Sequence, residues 1–497
     1  MKTRTNVLFY LNGKRHEVGP EHAGMMLADY LRYERGLTGT KIVCAEGDCG
    51  ACSVLRYFPN PAGTKSPFLA INSCITTVAQ MDGSSLVTVE GLGGNPSQQA
   101  MIACHGSQCG FCTPGFVVAM TGLVEKKLES KSFQSIGSQE AKNCMTGNLC
   151  RCTGYQPIID AMVSVDVSKC ESIRVRYYST AQDKELKKAM KMAISMETDR
   201  FSFFAPTSLK EASKFLLRNK DARIVTGATD LGVVHNKGKI RLQKILSLHL
   251  IAELYKLKKT GPKISVGSRV TLSELRSFIK DTAPEFARFL DLFASPQIKN
   301  VATLAGNVGN ASPIADTPPF LLVAGAEVVI SGTRGLRKVP MEKFFLAYRK
   351  TALKSGEFIA AITFEEEKKM ESWVLYKVSQ RKDLDISGVN AAFRAVWADP
   401  AKTKLKEIRI AMGGVGPTTL RLTKTETALK GSDISEASLA RAVKTLHAEM
   451  NPIGDLRGTG AFRRVIVENL FYRFFRENAG ARISSPLQRI SPEGVHP

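Results

Sequence analysis

The chain has 497 residues, of which 43% are hydrophobic and 23% charged; this ordinary globular balance excludes a disordered, collagen-like or fibrous protein and leaves room for about three domains. Its net charge of +23, from 69 basic and 46 acidic side chains, suits nucleic acid, an acidic membrane surface or an acidic protein partner, yet the basic residues are scattered and their densest run is only Lys184–Lys191. No apolar run reaches the ~18–20 residues that span a bilayer; the longest, Phe320–Ile330, is short and carries Glu327. The N-terminal MKTRTNVLFYLNG lacks the apolar core and cleavage site of a signal peptide, so a cytoplasmic protein is expected.

In chain order, residues 4–18 predict two strands joined at Asn12-Gly13, a strong hairpin dipeptide. A helix follows near 25–34. A loop rich in Cys and Gly covers 44–52, and strands are expected at 53–58 and 86–89. Residues 96–170 have helical spacing around 98–104, 115–128 and 156–165. The charged segment 172–198 lacks strand alternation and is expected to be a linker with some helix. From Phe203 onward, strand-like runs at 224–225, 264–266 and 328–330 alternate with helical stretches such as 272–279. Strands then dominate at 373–378, 389–397 and 405–411, and helices close the chain at 434–447 and 460–476. The last of these has the apolar spacing of a buried face. There are no internal repeats.

All eleven cysteines lie between Cys44 and Cys170. In a chain expected to be cytosolic, such crowding favours metal or redox chemistry over disulfides. Cys44, Cys49 and Cys52 follow C-x4-C-x2-C, with Cys74 further on, which is plant-type ferredoxin spacing for a 2Fe–2S cluster. A loop wrapping a cluster must turn tightly. Gly47 and Gly50 permit left-handed backbone that aims amides at sulfur, and Ala51 and Ser53 leave space. Structural zinc is the alternative, since four thiolates also suit it. Cys109 and Cys112 form C-x2-C, and Cys150 and Cys152 form C-x-C. A C-x-C is tight for a zinc knuckle, but two ligands on one iron tolerate it. Pro114 suits a helix start there.

The segments CAEGDCGACSV, SQCGFCTPG and NLCRCTGY together resemble the iron–sulfur portion of the molybdenum hydroxylases, the family of xanthine dehydrogenases, aldehyde oxidases and carbon monoxide dehydrogenases. The resemblance implies one cluster on Cys44, Cys49, Cys52 and Cys74 and a second on Cys109, Cys112, Cys150 and Cys152. It also implies that Gln108 approaches a molybdenum cofactor on a partner chain. Cys104, Cys144 and Cys170 fall outside the motifs and read as ordinary thiols. His105 is expected to make a structural hydrogen bond, because a Rieske-type site needs two histidines.

Neither G-x-G-x-x-G after a strand nor a P-loop is present, so a Rossmann or P-loop site is unsupported. Two small-residue turns stand out instead, one in Ile224–Leu231 and one in Thr303–Asn307, the latter followed by Asp316. Small residues let the main chain approach a pyrophosphate, although each turn is by itself as readily structural. RIVTGATDL, NVATLAGNVGNASPIAD and LYKVSQRKDLDIS resemble flavoprotein segments of the same family, and IRIAMGGVGPTTLR resembles its C-terminal flavoprotein subdomain. The resemblance implies FAD contacts from Ile224, Val225, Thr226, Gly227, Ala228, Thr229, Asp230, Leu231, Phe293, Thr303, Leu304, Ala305, Gly306, Asn307, Asp316, Ile359 and Lys377. It places the Gln380–Asp385 loop, with Arg381 and Lys382, near the flavin.

The expected fold is therefore α+β and multidomain. It comprises a plant-ferredoxin-like (β-grasp) 2Fe–2S domain (1–92), an α-helical 2Fe–2S domain (93–171), a linker (172–198), a PCMH/VAO-type FAD-binding domain (199–371) and an α+β flavoprotein C-terminal subdomain (372–480). The resemblance implies the electron-transfer subunit of a xanthine-dehydrogenase-type enzyme. It would carry electrons from molybdenum on a molybdopterin-binding large subunit, through two clusters to FAD and on to NAD+, as hypoxanthine and xanthine are oxidised to urate. Two small and two large subunits are expected, with no nucleic acid and no membrane span. The same module serving an aldehyde or N-heterocycle hydroxylase is the alternative, and a zinc-containing nucleic-acid binder is a third reading. No catalytic acid–base pair or nucleophile stands out.

Overall fold

Asn12 and Gly13 both take positive φ, 49° and 79°, the geometry of a two-residue hairpin turn. They join β1 (Val7–Leu11) to β2 (Lys14–Val18) in the expected register, Leu11 opposite Lys14. The computed structural model describes residues 3–63, 66–368, 370–381, 384–483, 490–491 and 494–495. With β3 (Ser53–Tyr57), β4 (Leu69–Asn72) and β5 (Ser85–Val87), the hairpin builds a five-stranded sheet of order β2-β1-β5-β3-β4, in which β1 and β5 run parallel.

Helices Pro96–Ala103, Thr113–Glu129 and Gln156–Val163 fall where the apolar spacing places them, each with proline in its first turn. A fourth helix, Ser138–Met145, was not expected. It buries only Ala141 and Met145, so its sequence carries little apolar periodicity. This helical unit shares a core with the first sheet: Leu55, Tyr57, Phe68 and Ala70 pack with Phe116, Met120 and Ile158.

The segment expected as a linker is more ordered than its charge suggests. Ser179 and Gln182 form a capping box for helix Thr180–Ala189. That helix lays Leu186 and Ala189 on Leu8 and Tyr10 of β1. The segment then gives β6 (Ile194–Glu197), whose four residues alternate buried and exposed. Four residues between charged neighbours are too few for the alternation to stand out.

β6 opens a sheet of order β6-β7-β9-β8 with β7 (Ser202–Ala205), β8 (Arg223–Val225) and β9 (Lys244–Ser247). A second sheet of the middle unit contains β10 (Leu257–Thr260), β11 (Lys263–Gly267), β12 (Glu327–Gly332) and β13 (Gly335–Pro340). A small hairpin, β14 (Phe345–Ala347) and β15 (Lys350–Thr351), precedes β16 (Phe358–Glu365), which completes the order β10-β11-β16-β12-β13. The chain then forms the antiparallel sheet β17 (Glu371–Val378), β18 (Val389–Trp397), β19 (Leu405–Gly413) and β20 (Leu420–Arg421). Helices Glu436–Glu449 and Gly460–Asn478 cover it, and the latter buries Val467, Phe471, Phe474 and Phe475 completely. Its apolar face is core.

One hydrophobic core is shared between the first sheet and the sheet of β6 to β9: Val7, Phe9, Leu27 and Val78 pack with Met196, Phe203, Val225 and Val301. These two units are thereby fixed against each other, which positions the sites below. Among the described residues no helix is long and apolar enough to cross a membrane.

Candidate cofactor sites

Gly47 and Gly50 take φ of +73° and +69°, the left-handed turns the cysteine loop requires. Cys49, Cys52 and Cys74 are buried and Cys44 is partly so. Cys44 lies within hydrogen-bond reach of both Cys49 and Cys74, and Cys74 also reaches Cys52, so the sulfurs form a chain 49–44–74–52. Among the described residues no three His, Cys, Asp or Glu groups converge as a single-ion site would require. Amides face the sulfurs: Glu46 N–H donates to Cys44 Sγ at 3.4 Å, and the Ala51 amide lies near the Cys49 sulfur, while Ser73 N–H donates to the Cys52 carbonyl oxygen at 3.3 Å. The hydrogen bonds from Cys49 and Cys74 hold Cys44 far below the usual thiol range, and that from Cys74 lowers Cys52. Cys49 is driven up, first by the hydrogen bond it donates to Cys44 and then by burial, and Cys74 by those it donates to Cys44 and Cys52 and then by burial. Four packed thiols cannot all ionise alone. A cationic iron core would neutralise all four, and the inward amides fit such a group.

In the second set, Cys109 contacts Cys152 and Cys112 contacts Cys150. The two sulfurs of the C-x-C thus lie against different cysteines of the C-x2-C. Burial and the neighbouring Cys150 push Cys112 up to about 12. Burial also opposes ionisation of Cys150, but Thr153 outweighs it and the Cys150 thiol is lowered; Thr153 Oγ1 lies 3.2 Å from the sulfur. Unlike the first set, this one is at the surface. Cys109 and Cys152 are exposed, and so are Gln108 and His105. Apolar side chains next to its cysteines in sequence stand out: Phe111 at 50% exposure and Leu149 at 46%.

The two sets are joined directly. Leu149 N–H donates to Cys49 O at 3.0 Å, and a Cβ on Gly115 would lie 2.3 Å from Gly50 O. The buried Gln297, from the middle unit, donates to Asn148 Oδ1 at 2.8 Å.

The two small-residue turns also meet. Thr226 Oγ1 and Thr303 Oγ1 are 3.1 Å apart, and Thr303 accepts from Gly306 N–H at 3.0 Å. Ala228 is left-handed at φ 57°. Gly227 and Ala228 are buried, yet among the described residues their amide N–H groups donate to nothing. Buried amides without acceptors are costly. A pyrophosphate would satisfy them, and the small side chains beside them leave it space, so the donor set fits FAD. Val225 is core, and Ile224 packs into a neighbouring cluster; their side chains serve the scaffold. Asp230 is exposed, and Leu231 packs at the shared core. Leu304 and Ala305 are buried in the middle unit's core, with Phe293 packed against it. Ile359 on β16 lies beneath the second turn, its Cδ1 3.6 Å from where a Cβ on Gly309 would stand.

The helix after the first turn, Thr229–Asn236, docks on the first cysteine set. Asn236 Nδ2 donates to Cys74 O and to Ala45 O, both at 2.8 Å, and Lys237 pairs with Glu46 at 3.0 Å. A Cβ on Gly232 would lie 2.1 Å from Ile75 O. No local motif marks Asn236, Gln297 or Asn148, and only the folded chain reveals them.

Asp316 and Lys377 form a buried ion pair of 2.7 Å. Ser387 and Asn390 also donate to Asp316, and Lys377 Nζ donates to Ser387 at 2.9 Å. These side chains knit the C-terminal sheet to the second turn, where Thr317 donates to Asn307 at 2.6 Å. Arg381 approaches Asp48 of the first cysteine loop at 3.9 Å; Lys382 lies outside the described residues. His105 has no side-chain hydrogen bond among the described residues, contrary to expectation, because its exposed ring leaves it to water. Cys144 donates to Ala119 O and burial pushes it up to about 12, while Cys170 donates to Asp166 O and Cys104 lies 3.9 Å from Ser164 Oγ.

Three domain families match the chain: "[2Fe-2S] binding domain" at residues 88–163, "FAD binding domain in molybdopterin dehydrogenase" at 199–364 and "CO dehydrogenase flavoprotein C-terminal domain" at 374–478. Among curated proteins, it is 30% identical to xanthine dehydrogenase 1 of Arabidopsis thaliana over 95% of its length, and 28% identical to xanthine dehydrogenase/oxidase of Gallus gallus over the same share. The chain spans about two fifths of these relatives, 39% and 40%. Among solved structures, a carbon monoxide dehydrogenase from Hydrogenophaga pseudoflava that lacks the Mo-pyranopterin moiety aligns at TM-score 0.53 and 25% identity, covering 56% of this chain and 96% of that one.

Proposed function

We propose that this chain, whose domains fit the molybdenum hydroxylase family, is that family's electron-transfer module and works with a molybdopterin-containing partner. The observation that carries the reading is the sequence of contacts. An exposed cysteine set hydrogen-bonds through Leu149 to a buried one, and the buried set hydrogen-bonds through Asn236 to the helix that leaves the paired turns. Cys109, Cys112, Cys150 and Cys152 would hold one 2Fe–2S cluster, and Cys44, Cys49, Cys52 and Cys74 the other. Thr226–Thr229 and Thr303–Asn307 would hold FAD. When bound, the clusters carry single electrons and the flavin exchanges pairs of them as hydride with nicotinamide.

The protein's part is placement. The exposed set, flanked by Phe111 and Leu149, is where a partner would cover a cluster and deliver electrons. The buried set is shielded by Ile75, Val233 and Ile298, which keeps water from the relay. Asp316 and Lys377 fix the C-terminal sheet against the second turn.

A xanthine-dehydrogenase-type assembly, cytoplasmic, with two small and two large subunits and NAD+ as acceptor, is the specific form we favour. Relatives of that name match 95% of this chain in a single polypeptide, whereas the carbon monoxide dehydrogenase chain matches 56% of it. The same module in a hydroxylase for carbon monoxide, aldehydes or N-heterocycles is the second reading, supported by that structural likeness. The test uses the purified, molybdenum-free chain. NADH should reduce its flavin and then its clusters, with a dye as acceptor, while hypoxanthine and xanthine go unoxidised until the large subunit is added. Purine turnover by the chain alone would overturn the module reading, and failure of NADH would overturn the choice of nicotinamide.

A further inference from the structure

The unsatisfied amides of Gly227 and Ala228 are aimed by residues far away in sequence. The peptide unit is planar and trans, so the carbonyl of one residue and the N–H of the next point in opposite directions. Arg269 donates through Nη1 to Thr226 O, which turns the Gly227 N–H away from the arginine. Gln80 donates through Nε2 to Gly227 O at 3.3 Å, which turns the Ala228 N–H away from Gln80. With Ala228 left-handed, consecutive N–H groups then line a concave face, as in an anion nest.

Both anchors are themselves held. Gln80 Oε1 accepts from the Thr77 N–H at 3.0 Å and from its hydroxyl at 3.2 Å, so its amide group is fixed with Nε2 toward Gly227. Arg269 is buried and donates through Nε to Tyr255 Oη at 3.2 Å, and Tyr255 donates to His249 O at 2.9 Å. The turn has little freedom to evade them, since a Cβ on Gly227 would lie 2.3 Å from Val301 O.

We infer that Arg269 and Gln80 are positioning residues for the pyrophosphate of the flavin nucleotide, and that the FAD site is completed by a side chain of the N-terminal, first-cluster unit. This rests on the proposal that the paired turns bind FAD. Neither residue touches the ligand; they act through the two carbonyls. A neutral side chain of similar volume would preserve packing but release the peptide planes.

The experiment strips flavin from the full chain and titrates FAD back, following flavin fluorescence, in the parent protein, Gln80→Met, Arg269→Met and Arg269→Lys. Iron content and the cluster electron-paramagnetic-resonance signals are recorded on the same samples. Losing one oriented donor to a charged phosphate weakens binding by about ten- to a hundredfold. We expect that loss in both Met variants, substantial recovery in Arg269→Lys, and iron and cluster signals at parental level. A change in the phosphorus-31 resonances of FAD in Gln80→Met at saturation would report the released amide directly. Parental FAD affinity with unchanged phosphorus resonances in Gln80→Met would overturn the inference. So would equal losses in Arg269→Lys and Arg269→Met, because that pattern follows packing rather than donation. If Gln80→Met folds poorly, the Arg269 pair still decides. A parent protein that takes up no FAD would instead refute the functional reading on which the inference rests.

Discussion

Asp82 is completely buried and accepts from Arg4 Nη1 and Nη2, at 2.7 and 2.8 Å, from the Leu8 N–H at 2.8 Å and from His249 Nε2 at 3.1 Å. Burial alone would raise its carboxyl, but Arg4 and His249 outweigh burial and hold it down at about 2. A carboxyl lowered by folding contributes stability above its unfolded value and loses it as pH falls through the folded one. The contribution, about 2–3 kcal/mol, should therefore be complete above about pH 4 and disappear between about pH 4 and pH 2. Burial lowers His249, so below the ordinary histidine range the unfolded chain takes up a proton that the fold resists, and acid destabilises there too. Asp82→Asn leaves Arg4 buried without its charge partner and should cost about 3–5 kcal/mol at neutral pH. Denaturant midpoints at pH 7 and pH 3 measure both effects, and equal midpoints for parent and variant at pH 7 would contradict the role given to Asp82. None of this was legible beforehand, because Arg4, Asp82 and His249 lie on three separated segments and belong to no motif. The cysteines stood out in the sequence because the cluster ligation proposed for them demands fixed spacings. Cys49→Ser should accordingly reduce iron from about four to about two atoms per chain and remove one cluster signal while sparing the other. Loss of both signals in folded protein would show that the sets are not separate.

At the scale of elements, the second turn offers a clean separation of flavin from iron. A Cβ on Gly306 would stand 3.0 Å from Thr303 Oγ1 and 3.2 Å from Thr226 Oγ1. Gly306→Glu would disturb that hydroxyl pair and bring a negative charge to the proposed phosphate site. FAD should be lost with both clusters retained, read by flavin absorbance and iron assay; normal FAD content would place the pyrophosphate elsewhere. In the C-terminal helix, Phe474 stacks on Phe393 with centroids 4.6 Å apart and is fully buried. Phe474→Ala should cost about 3–5 kcal/mol, measured by denaturant unfolding, and an unchanged midpoint would contradict its core role. Strong periodicity made that helix and Leu272–Ile279 visible in the sequence. β6 and helix Ser138–Met145 were not, since the first is four residues long and the second buries two side chains.

Across the whole molecule, the function reading depends on units that are far apart in sequence yet share cores. The first sheet packs with the helical unit through Leu55 and Phe68, and with the middle unit through Phe9 and Phe203. This arrangement brings an exposed cysteine set, a buried one and the paired turns into one line of contacts, which spacing alone could not order. The measurement that tests the account most directly is quantitative cofactor analysis of anaerobically prepared full-length chain, combined with electron paramagnetic resonance of the reduced protein. The account predicts about four iron, four acid-labile sulfide and one FAD per chain, with two distinct cluster signals. Zinc in place of iron, or a single cluster signal with half that iron, would contradict it.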